Sequence, residues 1–181
     1  VKSIALPVIV TLWGNHEYSI FGGSLDRFPT DRGRAVLKYT NTILSVESRF
    51  YIDSKMNHQG YEKFFIDSHP FLFVHGNLND PYWGKFGIDK MNDERFIEYD
   101  YVISGHSHIP HYVEYFFPSE NSVYRNKKRT IFINPGSVGQ PRNHNSFAQY
   151  GILDTESGNY VHRSVWYDVE KEQSLFSDAV D

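Results

Sequence analysis

The chain has 181 residues, with 18 Lys+Arg against 22 Asp+Glu and a formal net charge of −4 with His neutral. That length suits one domain with a sizeable core, and the near-neutral balance excludes attachment to nucleic acid or an anionic membrane by bulk charge. There is no Cys, which excludes disulfides, thiolate nucleophiles and Cys-ligated zinc but leaves the compartment open.

The chain opens on Val1, followed by an apolar stretch with one early Lys. A signal peptide needs a longer apolar region and a small-residue cleavage site, and no run reaches the 18 or so apolar residues of a membrane span. A cytoplasmic location is the expectation. Residues 8–13 (VIVTLW) read as a buried strand running into the turn Gly14-Asn15-His16-Glu17. Residues 18–30 carry two Gly and a Pro and read as a loop. Residues 31–49 are the best helix, with Thr30 or Asp31 as N-cap.

Residues 61–66 and 71–75 read as strands around the turn Asp67-Ser68-His69-Pro70. A short helix is expected over 92–98, then strands over 100–104, 111–117 and 129–134. Residues 147–153 and 160–167 pair as a hairpin across Asp154–Asn159. A short helix closes the chain after Tyr167. Strands mixed with early helices predict a layered α/β or α+β domain.

The chemistry gathers where apolar strands end. Gly14-Asn15-His16-Glu17 follows VIVTLW, His75-Gly76-Asn77 follows FLFV, Gly105-His106-Ser107-His108 follows YVIS, and Asn134-Pro135-Gly136-Ser137 follows TIFI. Open α/β sheets collect ligands at the carboxyl ends of their strands. Neutral imidazole and amide oxygen suit zinc, manganese or iron better than a calcium cage. His106 and His108 share one face if the backbone stays extended. A lone His at a strand end is usually an ordinary turn residue. Three such turns in order are a more specific signal.

These blocks resemble the calcineurin-like metallophosphoesterases. Gly14-Asn15-His16-Glu17 matches the family's GNHD/E block, Val74-His75-Gly76 its VHG block, and Gly105-His106-Ser107-His108 its GHxH block. Residues 133–142 look like the branch of small phosphodiesterases and relatives of diadenosine-tetraphosphatases and serine/threonine phosphatases. The resemblance runs roughly from residue 5 to 172. It implies an α/β fold: a two-sheet β-sandwich flanked by helices, holding two divalent metal ions (Mn, Fe or Zn). By matching motif, Asn15, His75 and His106 would bind one metal and His108 the other. His16 would act at the leaving group, as proton donor or as transition-state hydrogen-bond donor. The implied reaction is hydrolysis of a phosphomonoester or phosphodiester by hydroxide generated between two metals about 3.5–4 Å apart.

The family also has two earlier blocks, DxH and GDxxD, and neither precedes Gly14. They supply the other ligands of the second metal and the bridging carboxylate. Residues 1–181 are therefore expected to be a single metallophosphoesterase domain incomplete at the N-terminus, lacking its first two βα units, with Val1 a cut edge. Those units need on the order of 50–60 residues. Asp31-Arg32-Gly33 mimics the tail of GDxxDRG but stands after the GNHE block, and Asp31 is read as a helix cap.

Arg142 and His144 lie in a polar stretch after the fourth turn and are candidates for substrate phosphate, Arg by its fork of donors. The loop Tyr18 to Arg27 is a candidate for shaping the substrate pocket, while packing on the core is the favoured reading for Tyr18, Phe21 and Phe28. Lys127-Lys128-Arg129 reads as a solvated turn, not a nucleic-acid patch. The expected partner is a phosphate-ester substrate, without membrane or bulk-charge nucleic-acid binding. The chain alone is expected to be weakly active or inactive. Two rival readings stand beside the enzyme: a non-catalytic protein-binding scaffold with a degraded metal site, and a mononuclear site of Asn15, His75 and His106.

Overall fold

A computed structural model describes residues 7, 9–23, 25–120 and 128–180. Five strands form a mixed sheet: β1 (Tyr61–Ile66), β2 (His69–Val74), β3 (Tyr101–Ser104), β4 (His111–Phe116) and β5 (Arg129–Asn134). Their order is β1-β2-β3-β5-β4, with β2, β3 and β5 parallel at the centre and β1 and β4 antiparallel at the edges. A second sheet is the antiparallel hairpin β6 (Ala148–Leu153) and β7 (Tyr160–Val165). Helices α1 (Asn15–Gly22), α2 (Asp31–Ile43), α3 (Val46–Lys55) and α4 (Val169–Val180) lie at the two ends of the sequence.

The central strands are near-continuous apolar runs because both faces are covered. Alternate residues go to opposite sides. Leu72, Val74, Val102 and Phe132 join Met91, Phe96, Tyr99 and Phe117 in one buried cluster. Phe71, Tyr101, Ile131 and Ile133 form the other, against Leu153 of β6 and Tyr160 of β7. The parallel register pairs Val74 with Ser104 and Ile103 with Ile133, so three strand ends reach the same edge. That register places the turns after β2, β3 and β5 side by side.

Several sequence expectations change at the N-terminal end. The strand expected over 8–13 does not form among the described residues. Leu12 makes a single parallel bridge with Asn57, where Trp13 N–H donates to Asn57 O (2.9 Å) and Asn57 N–H donates to Thr11 O (2.8 Å). The chain beyond Asn57 turns at Gly60 (φ 73°) into β1, so a longer ladder has no partner there. Val8 lies outside the described residues. The turn Gly14–Glu17 and the loop behind it instead open as helix α1. Glu17 accepts a hydrogen bond from Gly14 N–H (2.8 Å), and Gly23 (φ 78°) ends the helix.

The single helix expected over 31–49 is two helices. Thr30 caps α2 by accepting from Gly33 N–H (3.1 Å), while Asp31 is its first residue and pairs with Arg34 (2.6 Å). Leu44 is extended (φ −60°, ψ 122°), and Ser45 caps α3 by accepting from Ser48 N–H (3.1 Å). The short helix of 92–98 is replaced by two 3-10 turns, Ile88–Lys90 and Glu94–Phe96. The strands and the final helix fall close to their expected places.

Of the basic run, Lys127 lies outside the described residues. Lys128 pairs with Asp100 (3.4 Å), and Arg129 opens β5 and pairs with Glu114. Phe28 is buried, Tyr18 stacks on Tyr82 with centroids 4.4 Å apart, and Phe21 packs on Trp13.

The β1–β2 hairpin turns on Asp67 (φ 48°) and Ser68 (φ 69°), both left-handed. Such a turn favours glycine at its second position. Ser68→Gly is expected to raise stability by about 1 kcal/mol by removing a left-handed side-chain penalty. Urea denaturation at constant m-value measures it.

Candidate functional site

The site is built on the aligned strand ends. His75 follows β2, and its ring rests against the backbone of Gly14. A Cβ at Gly14 would lie 2.6–2.9 Å from three atoms of that ring, so only glycine admits the contact. His75 N–H donates to Gly60 O (2.8 Å), and His75 O accepts from Gly105 N–H (3.1 Å). Its Nε2 lies 3.0 Å from Asn15 Oδ1 and 3.2 Å from His106 Nδ1. Asn15 is buried at the first turn of α1. Thus Asn15 and His106 both meet the ring of His75.

His106 reaches this point by an unexpected route. Both His106 (φ 56°) and His108 (φ 57°) are left-handed, so strand alternation does not place them on one face. His108 Nδ1–H donates to Gln140 O (2.8 Å), which leaves Nε2 with the free lone pair of the neutral ring. His108 O accepts from Arg142 N–H (3.1 Å), tying the 140–142 segment to the same turn.

Asn134 organises this edge, a role that residue type and spacing alone did not assign. It is fully buried at the end of β5. Its Nδ2 donates to Gly105 O (2.8 Å) and Ser107 Oγ (3.0 Å), and its Oδ1 accepts from Gly136 N–H (2.9 Å). One side chain therefore laces the turn after β3 to the turn after β5. The signal was its place among four matching strand ends.

Electrostatics favour neutral rings. Burial, and then the neighbouring His106, His108 and His16, push the His75 pKa down to about 3. Burial is also the main cause lowering His106 and His108. His16 is exposed at one side, with its ring edge-on to Phe28 (centroids 5.2 Å). Its pKa is lowered by desolvation, opposed by Glu17 and reinforced by Arg142. Arg142 lowers His106 and His108 as well, so its charge is felt across the cluster. His144 is exposed, and no hydrogen bond among the described residues joins it to these rings.

Could these donors hold a metal? Ligand atoms on a sphere of 2.0–2.1 Å radius lie about 2.9–3.4 Å apart in octahedral or tetrahedral arrangements. The separations of 3.0 and 3.2 Å within the triad match that spacing. Neutral imidazole and amide oxygen suit one divalent ion. A bridged pair of ions does not fit equally. Among the described residues no three His, Cys, Asp or Glu side chains gather as a metal group. The nearby Glu17 carboxylate is turned to Gly14 N–H, and Asp80 is held by Arg27 (2.5 Å).

A cleft of about 720 Å³ opens beside the rings, between the two sheets. His75, His106 and His108 stand at its rim, and Phe73, Ile103 and Ile133 line its wall. This volume is in the range of small-molecule sites.

A family model for the calcineurin-like phosphoesterase superfamily domain matches residues 3–158, and the chain belongs to that family. An uncharacterized protein of Methanocaldococcus jannaschii is 30% identical over 172 aligned residues, covering 87% of this chain and 65% of the relative. The chain thus spans about 65% of the length of that curated relative. Among solved structures, a metallophosphoesterase from Sphaerobacter thermophilus is 24% identical with TM-score 0.68, covering 94% of this chain and 71% of its own. A hypothetical protein from Pyrococcus horikoshii OT3 is 19% identical with TM-score 0.72, covering 99% and 71%. Both share the fold. Members of the family generally bind divalent metals and act on phosphate esters.

Gly14→Ala is expected to displace the His75 ring and to weaken divalent-metal binding; calorimetric titration with Zn²⁺ reads the change. Asn134→Ala removes the partner of the half-buried Gly105 carbonyl and Gly136 N–H and should cost about 1–3 kcal/mol of stability. Because the folded His75 pKa is depressed, the unfolded chain binds the extra proton between pH 6.5 and about 3. Stability from this group is whole above pH 6.5 and is lost as pH falls toward 3. Thermal unfolding across that window should show the slope, and His75→Gln should flatten it.

Proposed function

We propose that this chain carries the leaving-group half of a metal-dependent phosphoesterase centre that hydrolyses a phosphomonoester or phosphodiester. The observation that carries the reading is the convergence of Asn15 Oδ1, His75 Nε2 and His106 Nδ1 at coordination spacing. Those three atoms would hold one divalent ion, with Mn, Fe or Zn suited to the donor set. A divalent ion there supplies Lewis-acid polarisation of a phosphoryl oxygen and lowers the pKa of water.

The chain's own residues do the rest. His16 lies on the first turn of α1, one residue from Asn15, so a ligand held at Asn15 is within its neighbourhood. Its lowered pKa favours the neutral ring, which serves better as a hydrogen-bond donor to the departing oxygen than as a full acid. Arg142 offers a fork of donors to a phosphate anion at the same edge. His144 has less support, since it stands apart from the cluster. The apolar cleft has room for the organic part of an ester.

The two-ion form of the reaction would use His108 Nε2 for the second ion, together with ligands and a bridging carboxylate beyond those described. In this proposal residues 1–181 belong to a single metallophosphoesterase domain with a cytoplasmic location. Among the described residues no helix is long and apolar enough to cross a membrane.

Two measurements test the proposal together. Elemental analysis and calorimetry should find a single equivalent of Mn²⁺ or Zn²⁺, lost in His75→Ala and His106→Ala. Turnover of para-nitrophenyl phosphate and its bis ester with added Mn²⁺ should be weak, and His16→Ala should lower it by about 10²–10³-fold, as loss of one transition-state hydrogen-bond donor does. Full turnover by the chain alone would refute the need for further ligands. Absence of both metal binding and hydrolysis would leave the scaffold reading.

A further inference from the structure

The segment from Gly76 to Lys85 is folded tightly on itself. Gly76 N–H donates to Pro81 O (2.6 Å), and Gly84 N–H donates to Asp80 O (2.9 Å). Asn77 Oδ1 accepts from Asn79 N–H (2.9 Å) and Asp80 N–H (3.0 Å). A Cβ at Gly76 would strike backbone, 2.5 Å from Asp80 O and 2.9 Å from Gly84 N. So compact a loop sets the position of Trp83 rigidly, aided by Trp83 N–H donating to Asp80 Oδ1 (3.0 Å).

Trp83 is held on two further sides. Phe28 meets it edge-on with centroids 4.8 Å apart and planes at 76°. The Arg27 guanidinium carbon lies 5.1 Å from the indole centroid, while Nη2 of the same group binds Asp80 Oδ2 (2.5 Å). The indole then presents itself to His106, centroids 6.2 Å apart and planes at 74°. Phe28 in turn meets the His16 ring edge-on, centroids 5.2 Å apart and planes at 89°. An unbroken aromatic chain, His16–Phe28–Trp83–His106, therefore links the two functional histidines of different motifs.

Few other contacts restrain these rings. The His106 side chain has one hydrogen bond among the described residues, to His75, and ring contacts with His75 and Trp83. The His16 ring has its contact with Phe28. Edge-to-face pairs at 4.5–7 Å are directional, so they restrain ring orientation as well as position.

We infer that Trp83 is a positioning residue, which through its own ring and through Phe28 fixes the ring orientations of His106 and His16. The inference rests on the proposed function only for the purpose of that orientation. A directional ring pair of this kind changes an equilibrium by about 2–10-fold, which sets the scale of the effect on metal affinity.

The test compares the full chain with Trp83→Leu, Trp83→Phe and Phe28→Leu. Long-range ¹H–¹⁵N spectra report the imidazoles without metal, circular dichroism reports folding, and calorimetry with Zn²⁺ reports affinity. Trp83→Leu should stay folded, move the His106 and His16 ring signals, and weaken Zn²⁺ binding by about 2–10-fold. Trp83→Phe, which keeps an aromatic edge, should recover most of that affinity. A folded Trp83→Leu with unmoved ring signals overturns the inference. If Trp83→Leu does not fold, Phe28→Leu decides: a moved His16 signal supports the chain of contacts, and unmoved signals overturn it. If the unmodified chain binds no Zn²⁺ while Trp83→Leu still moves the rings, the metal reading fails and the positioning role stands.

Discussion

The imidazole of His75 is the constraint on which the site depends. Its main chain joins β2 to Gly60 on one side and to Gly105 on the other. Its ring lies against Gly14 and points Nε2 at both Asn15 and His106. Two stretches of chain, far apart in sequence, are thereby brought within hydrogen-bond distance of one nitrogen of a third. The parallel strands β2 and β3 make this possible, since their register brings Val74 and Ser104 level. A shift of one residue would turn each side chain to the opposite face of the sheet.

Crowding several imidazoles at one edge has an electrostatic consequence. Burial disfavours the charged ring, and each added neighbour disfavours it further. The rings therefore remain neutral with a lone pair available, which is what a divalent cation requires of them. The same arrangement makes the folded state sensitive to acid. Arg142 strengthens the tendency by placing positive charge within reach of His16, His106 and His108. A group suited to phosphate thus also helps to keep the histidines deprotonated.

Legibility followed the range of the interaction that decides each element. Strands β1 to β7 were readable because alternating or continuous apolar runs bounded by turn residues depend on neighbours in sequence. Helix α1 was missed because Gly22, Gly23 and Pro29 suggested a loop, while the Glu17 contact to Gly14 N–H that starts the helix is a side-chain choice. The split between α2 and α3 was missed because Ser45 is unremarkable within a polar helix face until it caps. The 8–13 segment has the composition of a strand, but a strand also needs a partner, and Asn57 supplies only one bridge.

Sequence by itself named the candidates for chemistry: Asn15, His16, His75, His106 and His108, each placed by its motif beyond an apolar run. It also determined the family, since ordered motifs survive without knowledge of their distances. Tertiary structure alone decided which of these meet. It brought Asn15, His75 and His106 together and turned His108 toward Gln140. It also left His144 at the surface, and it gave Asn134 and Trp83 their positions beside the cluster. The physical reason is that a motif specifies local backbone and donor type, whereas convergence depends on strand register and on contacts between residues remote in the chain.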